Sequence, residues 1–187
     1  MNRIEMNTPA RRPLGGLLLI GVFAAPILLA LVLSFSGWHP VGTRSHGELL
    51  QQPLDVRTAR FAFADGTTLA WQAAEMPWTL FALPGPDCST RCMDRLDELR
   101  RVRVSMNQND RRLRVLVLDP ALAARLAPLA PMVATADDAD GVLAAWRPSA
   151  ADSVAVAVAD PHGYVVLRYP PGYDASGLRK DLGRVIK

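Results

Sequence analysis

WTLFALPGPDCSTRCMDRLDELRRVRVSM, residues Trp78 to Met106, decides how this 187-residue chain folds. Trp78 to Leu83 is an apolar run of the length of one buried strand. Pro84-Gly85-Pro86 stops that strand and turns the chain. Cys88 and Cys92 follow, and a helical pattern opens at Ser89 and runs to about Met106. Cys92, Leu96, Leu99 and Met106 fall near one face of it, with Asp94, Arg95, Glu98 and Arg101 elsewhere. The two cysteines of the chain therefore sit where a strand hands over to a helix N-terminus. Free N–H groups and the helix dipole favour a thiolate there, and Arg91 and Arg95 add positive charge. The thiolate is the form that attacks disulfides and binds soft metals.

The spacing is C-x-x-x-C, which places the two residues one above the other on a helix. No third cysteine exists, so one intramolecular disulfide is expected, with Cys88 in the loop the more exposed sulfur. Spacing alone fits a structural disulfide as well as a working pair. The strand-before, helix-after context favours a redox or metal site.

Outward from this stretch, the N-terminus reads as a membrane anchor. Leu14 to Phe35 is uncharged, mostly apolar and long enough to cross a bilayer. Arg3, Arg11 and Arg12 precede it against Glu5 alone, which by the positive-inside rule keeps the N-terminus cytoplasmic. The run is too long for a typical signal-peptide core, and no clear A-x-A cleavage site stands at its end. The expected organisation is a cytoplasmic tail over 1–13, an anchor over 14–36, a tether over 37–58 and an exported domain over 59–187. Of the formal charge of +3, the tail carries +2. The near-neutral remainder argues against a nucleic-acid partner.

Within the exported part, Gly37 to Pro53 reads as tether, with Gly47 to Leu50 beginning to dock. Arg60–Ala64 and Thr67–Trp71 flank Asp65-Gly66, a hairpin signal. Leu113 to Leu118 is a second buried strand. Ala121 to Ala130 and Asp137 to Arg147 are helix candidates, the first limited by Pro128 and the second capped by Asp137 or Asp138. Val154–Ala159 and Tyr164–Tyr169 flank Asp160-Pro161-His162-Gly163, a type I turn by residue preference. Asp174 to Ile186 closes the chain as a helix. The order implies an α/β fold: parallel strands, helices on both faces and a final antiparallel pair.

That order, with the anchor, the C-x-x-x-C after the first core strand and the D-P-x-G turn near the end, resembles the Sco/SenC family. The resemblance implies a thioredoxin-like fold: a central mixed sheet with flanking helices and an N-terminal β-hairpin, preceded by one transmembrane helix. It also implies a periplasmic domain on a single-pass inner-membrane protein that assists respiratory oxidase assembly. Its partners would then be the membrane and an oxidase subunit or another thiol/disulfide client. Family members bind copper through both cysteines and a distant histidine. Cys88 and Cys92 match those cysteines, as the catalytic pair and as metal ligands for Cu(I). The family proline after the second cysteine is Met93 here. The family histidine falls in Ala150-Ala151-Asp152-Ser153, which has none, and an Asp carboxylate is a hard ligand that suits copper poorly. This marks a divergent member.

His39 at the membrane edge, His46 in the tether and His162 in the last turn read as bystanders, as do Met76 and Met106, whereas Met93 reads as a packing residue of the first helix turn, with a thioether ligand as the alternative. Asp137, Asp138 and Asp140 read as a solvated cluster or helix cap. Phosphate-loop, paired-histidine zinc and G-x-S-x-G motifs are absent. Two alternatives stay open: a general membrane-tethered thiol–disulfide oxidoreductase, and a scaffold whose disulfide is purely structural.

Overall fold

The computed structural model describes residues 14–36, 45–71 and 77–186. The chain falls into two units, Met1–Gly42 and Thr43–Lys187. In the first, Leu14–Phe35 forms one 22-residue helix, α1, with Pro26 inside it. At ~1.5 Å per residue such a helix is about 33 Å long, enough for a hydrocarbon core of ~30 Å. Among the described residues it is the one helix long and apolar enough to cross a membrane. Arg3, Arg11, Arg12 and Glu5, on which the expected topology rests, and His39 lie outside the described residues.

In the second unit the elements run β1 Glu48–Asp55, β2 Phe61–Ala62, β3 Trp78–Pro84, α2 Thr90–Val104, β4 Leu113–Val117, α3 Ala123–Leu126, β5 Val133–Thr135, β6 Asp137–Asp138, β7 Val154–Ala159, β8 Tyr164–Tyr169 and α4 Ala175–Val185. Among the described residues, six strands form one sheet in the order β1-β8-β7-β3-β4-β5. β3, β4 and β5 are parallel, whereas β3–β7, β7–β8 and β8–β1 pair antiparallel. β3 and β7 lie in the middle, and every residue of β7 is buried. This explains why both read as unbroken apolar runs rather than alternating ones.

Alternate residues of the central strands feed two cores. Leu80, Ala82, Val115, Val154 and Val156 pack with Cys92, Leu96 and Leu99 of α2, with Leu126 of α3, and with Leu178 and Leu182 of α4. Phe81, Leu83, Leu116 and Ala157 face the other way, against Val56, Phe61, Leu69, Ala136 and Leu143. Among the described residues of this unit, then, α2, α3 and α4 cover one face, and turns and short strands cover the other. This corrects the expectation of helices on both faces.

Four local expectations also change. Glu48–Asp55, inside the stretch read as tether, is the edge strand β1; six of its eight side chains are exposed, so it lacks the alternation that signals a half-buried strand. The Asp65-Gly66 turn forms, with Phe63 N–H bonded to the Thr67 carbonyl at 2.8 Å. Its first strand, however, pairs with β6, and the return segment adds only a bridge from Thr68 to Ala62. The helix expected over 137–147 shrinks to one 3-10 turn, Ala144–Trp146. Asp137 and Asp138 are used as a strand, and Gly141 turns the chain at φ +67°. Asp138 still caps, accepting from the N–H groups of Val142 and Leu143. Finally, the helix expected over 121–130 keeps only Ala123–Leu126 as α-helix between two 3-10 turns.

Candidate functional site

β3 ends at Pro84, and three residues later Asp87 takes a left-handed turn at φ +52°. This brings Cys88 to the loop and Cys92 into the first turn of α2. The two sulfurs are bonded to each other, with Cα atoms 5.2 Å apart. Cys92 is fully buried in the core beside Leu96. Cys88 is half-buried, at the surface end of the bond. The bridge is therefore asymmetric: it joins a partly exposed residue to a fully buried one. Arg125 donates to the Cys88 carbonyl and holds the loop.

The helix start is organised by a residue the sequence reading took only for a missing ligand. Asp152 lies in the loop before β7, and β7 runs beside β3 with Val154 opposite Pro84. Its Oδ1 accepts from the N–H of Ser89 at 2.8 Å and of Cys92 at 2.9 Å. Its Oδ2 accepts from the Arg91 N–H at 3.1 Å, with the Arg91 Nε 3.4 Å away. These N–H groups, that of Cys92 first, hold the Asp152 carboxyl well below the usual carboxylate range. The place of Asp152 in the stretch where the resemblance looks for a histidine was the available signal. That it reaches back across 60 residues to the cysteine helix was not readable from it.

The positive charge expected around the cysteines is largely spent. Arg91 pairs with Asp152, and Arg95 pairs with Glu98 at 2.6 Å and lies over the Tyr173 ring. An open cleft at Asp152 is lined by Arg91, Arg95, Ala151 and Gly172.

The two described histidines, His46 and His162, are elsewhere. His162 is 81% exposed in the Asp160–Gly163 turn. Ala159, which leads into that turn, pairs with Thr79 at the start of β3, while the cysteines follow its end. At ~3.4 Å per residue the strand separates the two by about 17 Å. His46 is engaged by α4: its Nδ1 is 3.1 Å from Asp181 Oδ1, and its N–H donates to Oδ2 at 2.6 Å. Met93 and Met106 pack on the core, whereas Met76 lies outside the described residues. A copper site of the resemblance's type needs two sulfurs and a third donor. Cys88 and Cys92, once reduced, supply two thiolates that suit Cu(I). Both oxygens of Asp152 are committed to backbone N–H groups, so the third position does not fit. Among the described residues no three His, Cys, Asp or Glu side chains gather to hold a metal.

A family model described as transmembrane-like, thioredoxin-like, C-terminal domain matches residues 78–187. No curated protein sequence matches the chain. Among solved structures it is similar to yeast Sco1 with copper bound, at 15% identity over 74% of this chain and 93% of that one, TM-score 0.55. It is also similar to apo Sco1 from Thermus thermophilus, at 16% identity over 79% and 99%, TM-score 0.54. At these identities the likeness carries the fold, a thioredoxin-like α/β fold with a mixed central sheet.

Proposed function

The chain belongs to the transmembrane-like, thioredoxin-like C-terminal domain family, and from that footing we propose a membrane-anchored, Sco-like thiol–disulfide protein of respiratory oxidase assembly. The reactive pair is Cys88 and Cys92, and the client is a protein that carries the cysteines of an oxidase copper site. The domain is exported to the periplasm, with the N-terminus in the cytoplasm. The observation that carries this reading is the asymmetry of the pair, a half-buried Cys88 bonded to a fully buried Cys92. A partly exposed cysteine backed by a fully buried one suits exchange, because the buried one is closed to a client. The oxidase as destination follows from the Sco/SenC resemblance.

A second reading has Cu(I) as cargo, held between the two thiolates. It is supported by the donor set and by the similar fold of yeast Sco1, a structure with copper bound. Cu(II) is disfavoured in either reading, since two thiolates without an imidazole are prone to oxidation to the disulfide by that ion.

The test is a trap. In Cys92→Ser, Cys88 attacks a client disulfide and no second thiol releases it. We expect a mixed disulfide with an oxidase subunit, identified by mass spectrometry. Adducts with many unrelated exported proteins would favour a general oxidoreductase. No adduct at all would favour a structural bridge.

A further inference from the structure

The start of α2 is capped from outside. The Ser89 side chain makes no cap bond. Asp152 takes the first N–H groups instead, those of Ser89, Arg91 and Cys92. The carboxylate is itself fixed in place. Asp152 N–H donates to the Pro86 carbonyl at 2.9 Å, and Gly85 N–H to the Ser153 carbonyl at 2.8 Å. A Cβ on Gly85 would stand 2.4 Å from the Ala150 carbonyl oxygen, so the two loops meet this closely only with glycine there. The Asp152 side chain is 14% exposed, while its cationic partner Arg91 is 80% exposed and 3.4 Å away.

From this geometry we infer that Asp152 is a positioning residue that sets the direction of exchange: it favours the disulfide over the dithiol and makes the reduced pair an electron donor to client disulfides. This rests on the exchange reading above. Exchange places negative charge on sulfur, whereas the disulfide carries none. Helix N–H groups at such a junction ordinarily stabilise that charge. Here they are occupied by a fixed carboxylate, whose own charge opposes another beside it. The reduced form gains little from the helix, and the disulfide loses nothing. In the favoured direction the Cys88 thiolate attacks a client disulfide, forms the mixed disulfide and expels one client thiolate. The Cys92 thiolate then attacks Cys88 Sγ, closes the 88–92 bond and expels the second. Two electrons pass to the client, and the two protons given up by Cys88 and Cys92 reach its thiolates through solvent. A dithiol donor must reduce the pair again.

The test equilibrates the full-length chain in detergent with dithiothreitol at fixed pH and reads the 88–92 disulfide fraction. Asp152→Asn keeps an acceptor oxygen for the cap and removes the charge. It is expected to shift the equilibrium at least tenfold toward the dithiol, about 30 mV more oxidising. Arg91→Gln, an exposed change that leaves the cap in place, is expected to shift it the other way by a smaller factor. A merely structural Asp152 would lower stability without producing shifts of opposite sign. A change under twofold in folded Asp152→Asn overturns the inference and leaves the exchange reading standing. Should that variant not fold, Arg91→Gln decides, and no shift or a shift toward the dithiol overturns it. A pair that never equilibrates with dithiothreitol in the parent chain overturns the exchange reading and this inference together.

Discussion

At the residue scale, the two cysteines differ in surroundings more than in sequence. Cys92 has no exposed surface, whereas Cys88 is only half-buried. After reduction, Cys88 is expected to alkylate at least tenfold faster than Cys92 in the folded chain, read by mass spectrometry of the two labelled peptides. Equal and very slow labelling would instead point to a structural bridge. A second polar residue with a large role is Asp181, only 3% exposed. Burial pushes its carboxyl up, but bonds from His46, Tyr169 and Gly47 outweigh this and hold it below the ordinary value. Arg184 also donates to it, at 2.8 Å. A depressed carboxyl stabilises the fold above the unfolded pKa of ~3.9. That stability is lost as pH falls from about 4 through the folded value. Asp181→Asn should therefore flatten part of the fall in Tm between about pH 4 and pH 2. An unchanged slope would mean that Asp181 is not held in this way.

At the element scale, the bonds of Asp181 join three pieces of chain that sequence keeps far apart. His46 and Gly47 precede β1, Tyr169 ends β8, and Asp181 lies on α4. The contact is close because two glycines permit it. A Cβ on Gly177 would stand 2.7 Å from the His46 side chain, and one on Gly47 2.5 Å from the Tyr169 ring. Tyr169→Phe removes a 2.9 Å hydroxyl–carboxylate bond and should cost about 1.5–3 kcal/mol in urea unfolding. On α2 the buried face is Cys92, Leu96, Leu99 and Val102, and Met106, just past the helix end at Val104, is partly buried against the same core as expected. Leu96→Ala empties a fully buried site beneath the cysteine turn and should cost about 2–5 kcal/mol. A cost below 1 kcal/mol would show that α2 does not rely on this packing.

At the scale of the whole molecule, the sheet sets which side chains can share a site. The antiparallel β3–β7 pair puts Asp152 beside the cysteines and His162 beyond the other end of the same strands. His162→Ala should accordingly leave Cu(I) affinity within about threefold, under ~1 kcal/mol, in anaerobic competition. A Cu(II)–thiolate absorption band that vanishes in this variant would contradict the register. Topology is a second property of the whole chain. A reporter fused at Ser45 is expected to be active only in the exported compartment, because Arg3, Arg11 and Arg12 outnumber Glu5 before α1. Activity confined to the cytoplasm would reverse the orientation.

Strands β3, β4, β7 and β8, helices α1, α2 and α4, the Asp160–Gly163 turn and the cysteine junction could all be read from sequence. Each is local: an apolar run, a helical period, a cap or a turn residue places it within a few positions of itself. The α/β order followed because strands and helices alternate along the chain. Tertiary structure alone decided the rest. β1 is a strand only because β8 offers it an edge, and 137–147 is not a helix because Phe61 and Ala62 recruit Asp137 and Asp138. Asp152 is a cap only because β7 returns beside β3 and carries it back to the cysteine turn. A hydrogen bond between residues 60 positions apart leaves no periodicity in either segment. The sequence could place the two sulfurs at a helix start, but not the carboxylate that occupies the helix N–H groups beside them.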